Sequence, residues 1–158
     1  MNEIILNDTK EQAEAIIRLA GEARQKIWIM SHALEPELYD QPEFISLCKD
    51  LLIRHSQCHI RILIQNNENL RKMDHRLLTL MNRLPSSCEL KICHQDYRNH
   101  PETFMLTDSN GLFLKRTPGR SKAYLYMDNR LINDEYGRLF QNIWDQSDYD
   151  ITLRQLSI

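Results

Sequence analysis

The chain has 158 residues, 42% of them hydrophobic, enough for one domain with a real core and with little room for a second. Lysine and arginine number 20 against 22 aspartates and glutamates, so the formal net charge is -2, no global field draws the protein to nucleic acid, and any anion site has to be local. The first eight residues hold no basic segment followed by a signal-length apolar run, and apolar stretches elsewhere are too short to cross a bilayer, so a cytoplasmic chain without membrane segments is expected.

In chain order, Ile4 to Leu6 reads as a short strand, and Asn7, Asp8 and Thr9 offer N-caps with Glu11 and Gln12 placed to close a capping box. The helix that follows sets Ala13, Ile16, Ile17, Ala20 and Arg24 on one stripe. Lys26 to His32 runs through Ile27, Trp28, Ile29 and Met30 without a polar break, the pattern of a strand covered on both faces. A second helix from near Pro42 carries Phe44, Leu47, Cys48, Leu51 and Leu52, and a second rich strand spans His59 to Gln65. Leu70, Met73, Leu77, Leu80, Met81 and Leu84 form the stripe of a third helix, which Pro85, Ser86 and Ser87 stop before a strand from Cys88 to His94.

This alternation predicts a mainly parallel βαβαβαβ arrangement with right-handed crossovers. After His94 the rhythm changes. Thr103–Asp108, Leu112–Thr117 and Lys122–Asp128 are close-spaced strands joined by Asp108-Ser109-Asn110-Gly111 and Thr117-Pro118-Gly119-Arg120, the signature of an antiparallel meander. Asn133 is placed to cap a last helix bearing Tyr136, Leu139, Phe140, Ile143 and Trp144, and the tail to Ile158 to add a weak strand. No repeat or linker interrupts the pattern, so residues 1–158 are expected to form one α/β domain with a mixed sheet.

The element order, the segment Phe104-Met105-Leu106-Thr107-Asp108-Ser109-Asn110-Gly111 and the helix end Phe140-Gln141-Asn142-Ile143-Trp144-Asp145-Gln146-Ser147 resemble one half of the phospholipase D superfamily, over nearly the whole chain. That resemblance implies a strand opened by His-x-Lys, with an aspartate after four further residues. Its histidine attacks phosphorus to form a phosphoenzyme, and its lysine neutralises the phosphoryl oxygens. Setting Asp108 on the motif aspartate puts Pro101 at the histidine and Thr103 at the lysine, so both catalytic positions are lost. His100 falls one place early, where a strand turns its side chain to the opposite face unless a β-bulge re-aims it; Glu102 would then take the cation position. His100 and Asp108 are therefore the weak catalytic candidates. The chain also resembles a bacterial branch of this superfamily that can accompany acetyltransferase domains, although no acetyl-CoA loop is legible. Members with one half-domain often pair as two-fold dimers, which makes a homodimer the partner that the resemblance implies.

Lys115, Arg116, Arg120 and Lys122 place four cations in eight residues, either an anion site or an edge hairpin whose charges block edge-to-edge pairing. Tyr124 and Tyr126 share a face with Lys122, to stack bases or simply to pack on the strand. His32 and His94 fall at the carboxyl ends of expected parallel strands, the rim where open α/β sheets bind ligands and also an ordinary loop boundary. Cys48, Cys58, Cys88 and Cys93 have no paired CxxC spacing and read as reduced packing residues. In Cys58-His59 and Cys93-His94 the neighbours point to opposite faces of a strand and do not converge on one ion. Asp134 and Glu135 suit a helix first turn better than a cation site with Asp128, and Arg71, Lys72 and Arg76 suit a solvated helix face. The glycines, at 21, 111, 119 and 137, are too scattered for a phosphate loop, so neither metal nor cofactor is expected.

The first functional expectation is a non-catalytic phospholipase D-like module acting in protein-protein interaction or self-association. The second is anion or nucleic-acid binding through the 115–122 hairpin. The third is residual phosphodiesterase activity using His100.

Overall fold

The two apolar strands that follow the first helices lie inside an eight-stranded sheet, in a computed structural model that describes residues 3–119 and 122–150. In chain order the elements are β1 (Glu3–Leu6), α1 (Thr9–Glu22), β2 (Lys26–Ser31), α2 (Pro36–Tyr39), α3 (Pro42–Arg54), β3 (His59–Ile64), α4 (Arg76–Arg83), β4 (Cys88–Ile92), β5 (Thr103–Thr107), β6 (Leu112–Lys115), β7 (Ala123–Tyr126), α5 (Arg130–Gln146) and β8 (Asp148–Tyr149). The sheet runs β1-β7-β6-β5-β2-β3-β4-β8. Strands β2, β3 and β4 are parallel, and every other pairing is antiparallel. Helices α1, α2, α3 and α4 pack one face around Ile16, Ile29, Phe44 and Ile62. On the other face α5 lays Phe140 against Trp28, with ring centroids 4.8 Å apart, and Tyr136 against Phe104 at 5.1 Å.

The mixed α/β architecture with a parallel part, a meander and a terminal helix is the one expected, and four local features differ from the sequence reading. Strand β1 joins the far edge antiparallel to β7 instead of lying beside β2, because Leu6 and its neighbours complete the meander. Helix α1 ends at Glu22, and Leu19, not the exposed Arg24, completes its buried stripe. The helix expected over residues 70–84 is split into a 3-10 turn at Leu70–Lys72 and α4. The cause is His75: its Nδ1 accepts the Leu77 N–H at 3.2 Å, its Nε2 lies 3.1 Å from the Leu34 carbonyl, and a helix restarts behind that cap. Helix α5 begins four residues earlier than expected, capped by Asn129, whose Oδ1 accepts the Ile132 N–H at 3.2 Å. Asn133 is buried inside the helix instead, and its amide donates to the carbonyls of Thr107 and Gly111, both at 2.9 Å. The weak terminal strand is β8, paired with β4; the tail beyond Asp150 and the hairpin residues Arg120 and Ser121 lie outside the described residues.

Burial lowers the pKa of His75 below that of a free imidazole, partly offset by Asp40 and the Leu34 carbonyl. Burial likewise lowers that of His59. A histidine whose pKa is lower when folded is charged first in the unfolded chain, so its contribution is complete above the ordinary value of 6.5 and is lost as pH falls below it. The melting temperature is therefore expected to drop between pH 7 and pH 5, and the His75→Asn variant, which keeps a cap acceptor without titrating, to drop less. Equal drops in both proteins would refute the assignment.

Candidate functional site

Strand β2 lies between a parallel neighbour, β3, and an antiparallel one, β5, so the chain leaves this end of the sheet in diverging directions. Such a switch point opens a crevice at the carboxyl ends of the strands. Here it is a cleft of about 700 Å³. His32 and Glu35 enter it from the loop after β2, Gln65 from the end of β3, Arg98 and His100 from the loop before β5, and Lys115 from the end of β6. Asp8 and Gln12, at the start of α1, close one side.

Each wall is fixed by main-chain contacts. Ser31 Oγ accepts the Leu34 N–H at 2.8 Å and donates to the Glu35 carboxylate. The fully buried Leu34 has a φ of 58°, a left-handed conformation costing a branched residue about 1 kcal/mol or more, and it turns the loop that presents His32. Gln65 Nε2 donates to the carbonyls of Tyr97, at 3.0 Å, and His100, at 2.8 Å, tying the loop before β5 to the end of β3. Nδ1 of His100 lies 3.1 Å from the Glu102 carbonyl and 3.2 Å from its amide nitrogen. Bonding to the carbonyl leaves a free lone pair on Nε2; bonding to the amide leaves a proton there.

The register of the meander adds a cation that the linear motif does not contain. Thr103, where the resemblance sets the motif lysine, pairs directly with Lys115 on β6. Directly opposed residues share a face, with Cβ atoms about 5 Å apart, and both of these line the cleft. Lys115 Nζ donates to the Gly119 carbonyl at 2.9 Å, which keeps the ammonium at the rim. Glu102 turns the other way, where its carboxylate accepts from the Tyr136 hydroxyl at 2.8 Å and lies 3.7 Å from Arg116.

Asp108 is at the opposite end of β5 and does not meet His100. Its Oδ1 accepts the backbone N–H groups of Arg24 and Gln25, each at 3.0 Å, and Lys26 at 3.2 Å. Burial alone would raise its pKa, but these bonds outweigh burial and hold it below the ordinary carboxylate range. It lines a separate shallow pocket with Arg24, Arg54 and Ser109.

The basic hairpin is divided between two faces. Lys115 enters the cleft, whereas Arg116 donates to the Tyr126 hydroxyl at 3.3 Å and lies 5.4 Å from the Tyr124 ring. Lys122 is exposed, and Arg120 lies outside the described residues. Tyr126 is buried, with its hydroxyl donating to Glu3, and Tyr124 packs against the α5 side, so neither ring offers an open stacking platform. His94 stays outside the cleft, its Nδ1 accepting the Asp96 N–H at 3.2 Å. All four cysteines are buried and free, and burial pushes the thiols of Cys88 and Cys93 up to about 12. Among the described residues, no three His, Cys, Asp or Glu side chains converge as metal ligands, and no helix is long and apolar enough to cross a membrane.

Sequence reasoning missed the Thr103–Lys115 pair. The signal was present: Asn110, with a φ of 63° ahead of Gly111, marks a three-residue hairpin loop, whose length fixes the register.

Residues 8–156 match the model of a family described as a domain of unknown function, DUF7931. No curated protein matches the chain. Among solved structures, it is similar to TrmBL2, an archaeal chromatin protein whose structure is described as showing a novel mode of DNA binding. The TM-score is 0.67 at 10% identity, over 94% of this chain and 54% of that one, so this chain spans about half of TrmBL2. Nuc from Salmonella typhimurium, a phospholipase D family member, aligns at TM-score 0.60 and 14% identity over 94% of this chain and 97% of Nuc. NucT from Helicobacter pylori aligns at 0.66 and 12%, over 94% and 98%. At these identities the likeness shows the fold.

Proposed function

For this chain, which belongs to the DUF7931 family and has a phospholipase D-like fold, we propose a non-catalytic module that binds a phosphodiester-bearing ligand in the cleft at the strand ends. The observation that carries this reading is the Thr103–Lys115 register, which returns an ammonium to the rim after the motif lysine is lost. Lys115, Arg98, His32 and His100 supply donors to phosphate oxygens. Asp8, Glu35 and Glu37 lie in the same cleft, which makes its charge mixed; Asp8 is engaged by the Glu11 N–H and Glu35 by Ser31 Oγ. A phosphate flanked by hydroxyl or amino groups suits this mixture better than a bare polyanion. Nucleotides have that chemistry, and DNA binding by a neighbour of the same fold supports the choice.

Pro101 and Thr103 support the absence of turnover, since the proline offers no nucleophile in place of the histidine and the threonine no cation in place of the lysine. A chromogenic phosphodiester such as bis(p-nitrophenyl) phosphate is expected to be hydrolysed no faster than in buffer. Hydrolysis that His100→Ala abolishes would instead make the protein an enzyme.

A second reading, self-association, is favoured by edge strand β1, where Ile4 is 41% and Ile5 49% exposed. Light scattering at high micromolar concentration is then expected to give a dimer mass, reverting to a monomer mass in Ile5→Lys. A monomer mass for the unaltered protein would exclude it.

A further inference from the structure

We infer that the half of the sheet left open beside α5 is a second anion surface, separate from the cleft and suited to the phosphate backbone of a single nucleic-acid strand. The two faces of the sheet are unequally covered: four helices pack one, and α5 packs the other, mainly over β2, β5, β6 and β7. Over β3, β4 and β8 the strands present His59, Arg61, Glu89 and Lys91, all half-buried, and the exposed Tyr149.

Three cations there stand in a file. Lys26 is level with His59, Trp28 with Arg61, and Leu63 with Lys91, so each step from Lys26 to Arg61 to Lys91 moves one strand across and two residues along. Sheet spacings make each step about 8 Å. Aromatic rings hold each cation in place. Lys26 Nζ lies 3.9 Å from the Trp28 ring, Arg61 Cζ lies 5.7 Å from Trp28 and 5.1 Å from Trp144, and Lys91 Nζ lies 4.6 Å from Trp144 and 4.9 Å from Tyr149. Trp28 and Trp144 are themselves buried, so they fix cations and leave no face for a base.

Among the described residues, none of the three cations makes an ion pair. Lys91 Nζ donates to the Trp144 carbonyl at 2.9 Å, and Arg61 reaches Gln141 at 3.5 Å. The acid directly opposite Arg61 is Glu89, whose carboxylate accepts from the Tyr149 hydroxyl at 2.8 Å, while Asp145 accepts from Gln141 and Asp148 is exposed. The arrangement has an internal cost. Burial lowers the Lys26 pKa, Arg61 lowers it further, and only Asp108 and Asp134 oppose this. His59 accepts the Trp28 indole N–H on Nε2 at 3.0 Å, so that nitrogen carries no proton beside this file. Evenly spaced cations, none in an ion pair among the described residues, complement a ligand with evenly repeated negative charge, and a phosphodiester strand has that pattern.

The test is independent of the cleft reading. Anisotropy of a labelled oligothymidylate of about 12 nucleotides is measured at low salt with the full chain, with an Arg61→Gln/Lys91→Gln double variant, and with Lys91→Met, which keeps the alkyl stem on Trp144. Losing two backbone contacts is expected to weaken binding about tenfold and to reduce the log–log salt slope by about 1.4. Lys91→Met should show about half that change in slope, and binding by both variants is compared well below their measured melting temperatures, so that a folding defect cannot imitate the result. Binding of a dinucleotide, which reports on the cleft alone, should be unaffected in both variants. Oligothymidylate affinity that survives both substitutions would overturn the inference and leave the file as a packing device. Tighter binding of an oligoglutamate peptide of equal charge would also overturn it, assigning the surface to a protein.

Discussion

Replacing Asp108 with alanine is expected to cost about 3 kcal/mol of stability while leaving ligand affinity at the cleft unchanged. One carboxylate oxygen accepts from three consecutive backbone N–H groups, at Arg24, Gln25 and Lys26, and so closes the turn between α1 and β2 onto the end of β5. Bonds to a charged acceptor contribute about 1.5–3 kcal/mol each when well shielded, and the partial exposure of this site reduces their sum. Asp108→Asn, which keeps an acceptor oxygen but loses the charge, should lose about half as much. Because the folded carboxyl has a lowered pKa, its contribution is complete above the ordinary carboxylate value and is lost as pH falls through the folded one. Urea denaturation of the three proteins checks this, and a loss below about 1 kcal/mol in the alanine variant would show that the oxygen is not closing the turn. Asp108 lies at the opposite end of its strand from the cleft.

Asn133→Ala is expected to cost a similar amount, about 3 kcal/mol, because it removes two buried hydrogen bonds, leaving the Thr107 carbonyl without a donor and the Gly111 carbonyl with only the Thr107 N–H, at 3.3 Å. The side chain joins α5 to both ends of the turn between β5 and β6, at Thr107 and Gly111. That turn leaves no room to compensate: a Cβ built on Gly111 would stand 2.4 Å from Leu19. Asn129→Ala, which removes only a helix cap, should cost about 1 kcal/mol. A loss of only about 1 kcal/mol at Asn133 with none at Asn129 would instead put the helix start at Asn133, where the sequence pattern alone places it.

These two residues show where sequence reasoning succeeds and where it stops. Local patterns found almost every element, because the runs Ile27–Met30 and Ile60–Ile64 and the stripes through Phe44 and Phe140 are decided by burial periodicity. The cap at Asp8 was legible for the same reason: its carboxylate accepts the Glu11 N–H three residues on, and Glu11 accepts the Asn7 N–H four residues back. Asn133 and His75 were not legible, since a polar residue inside a helical pattern reads as a cap or a surface group until its distant partners, Thr107 and Leu34, are known. At the cleft, Pro101 and Thr103 could be placed relative to Asp108 by counting, whereas Lys115 joins Thr103 there only through the pairing of β5 with β6. His32 was found by its place at the end of a central strand; Arg98, Gln65 and Glu35 lie in loops whose sequences carry no periodic signal.

The central claim is that an ammonium supplied from β6 still equips this cleft for a phosphodiester. Calorimetric titration of a deoxythymidine dinucleotide into the unaltered protein and into Lys115→Ala at low salt tests it most directly. Saturable 1:1 binding that weakens at least about fivefold on losing one charged donor, near 1 kcal/mol, is the predicted result. Equal affinity in the two proteins, or no binding by either, would contradict it.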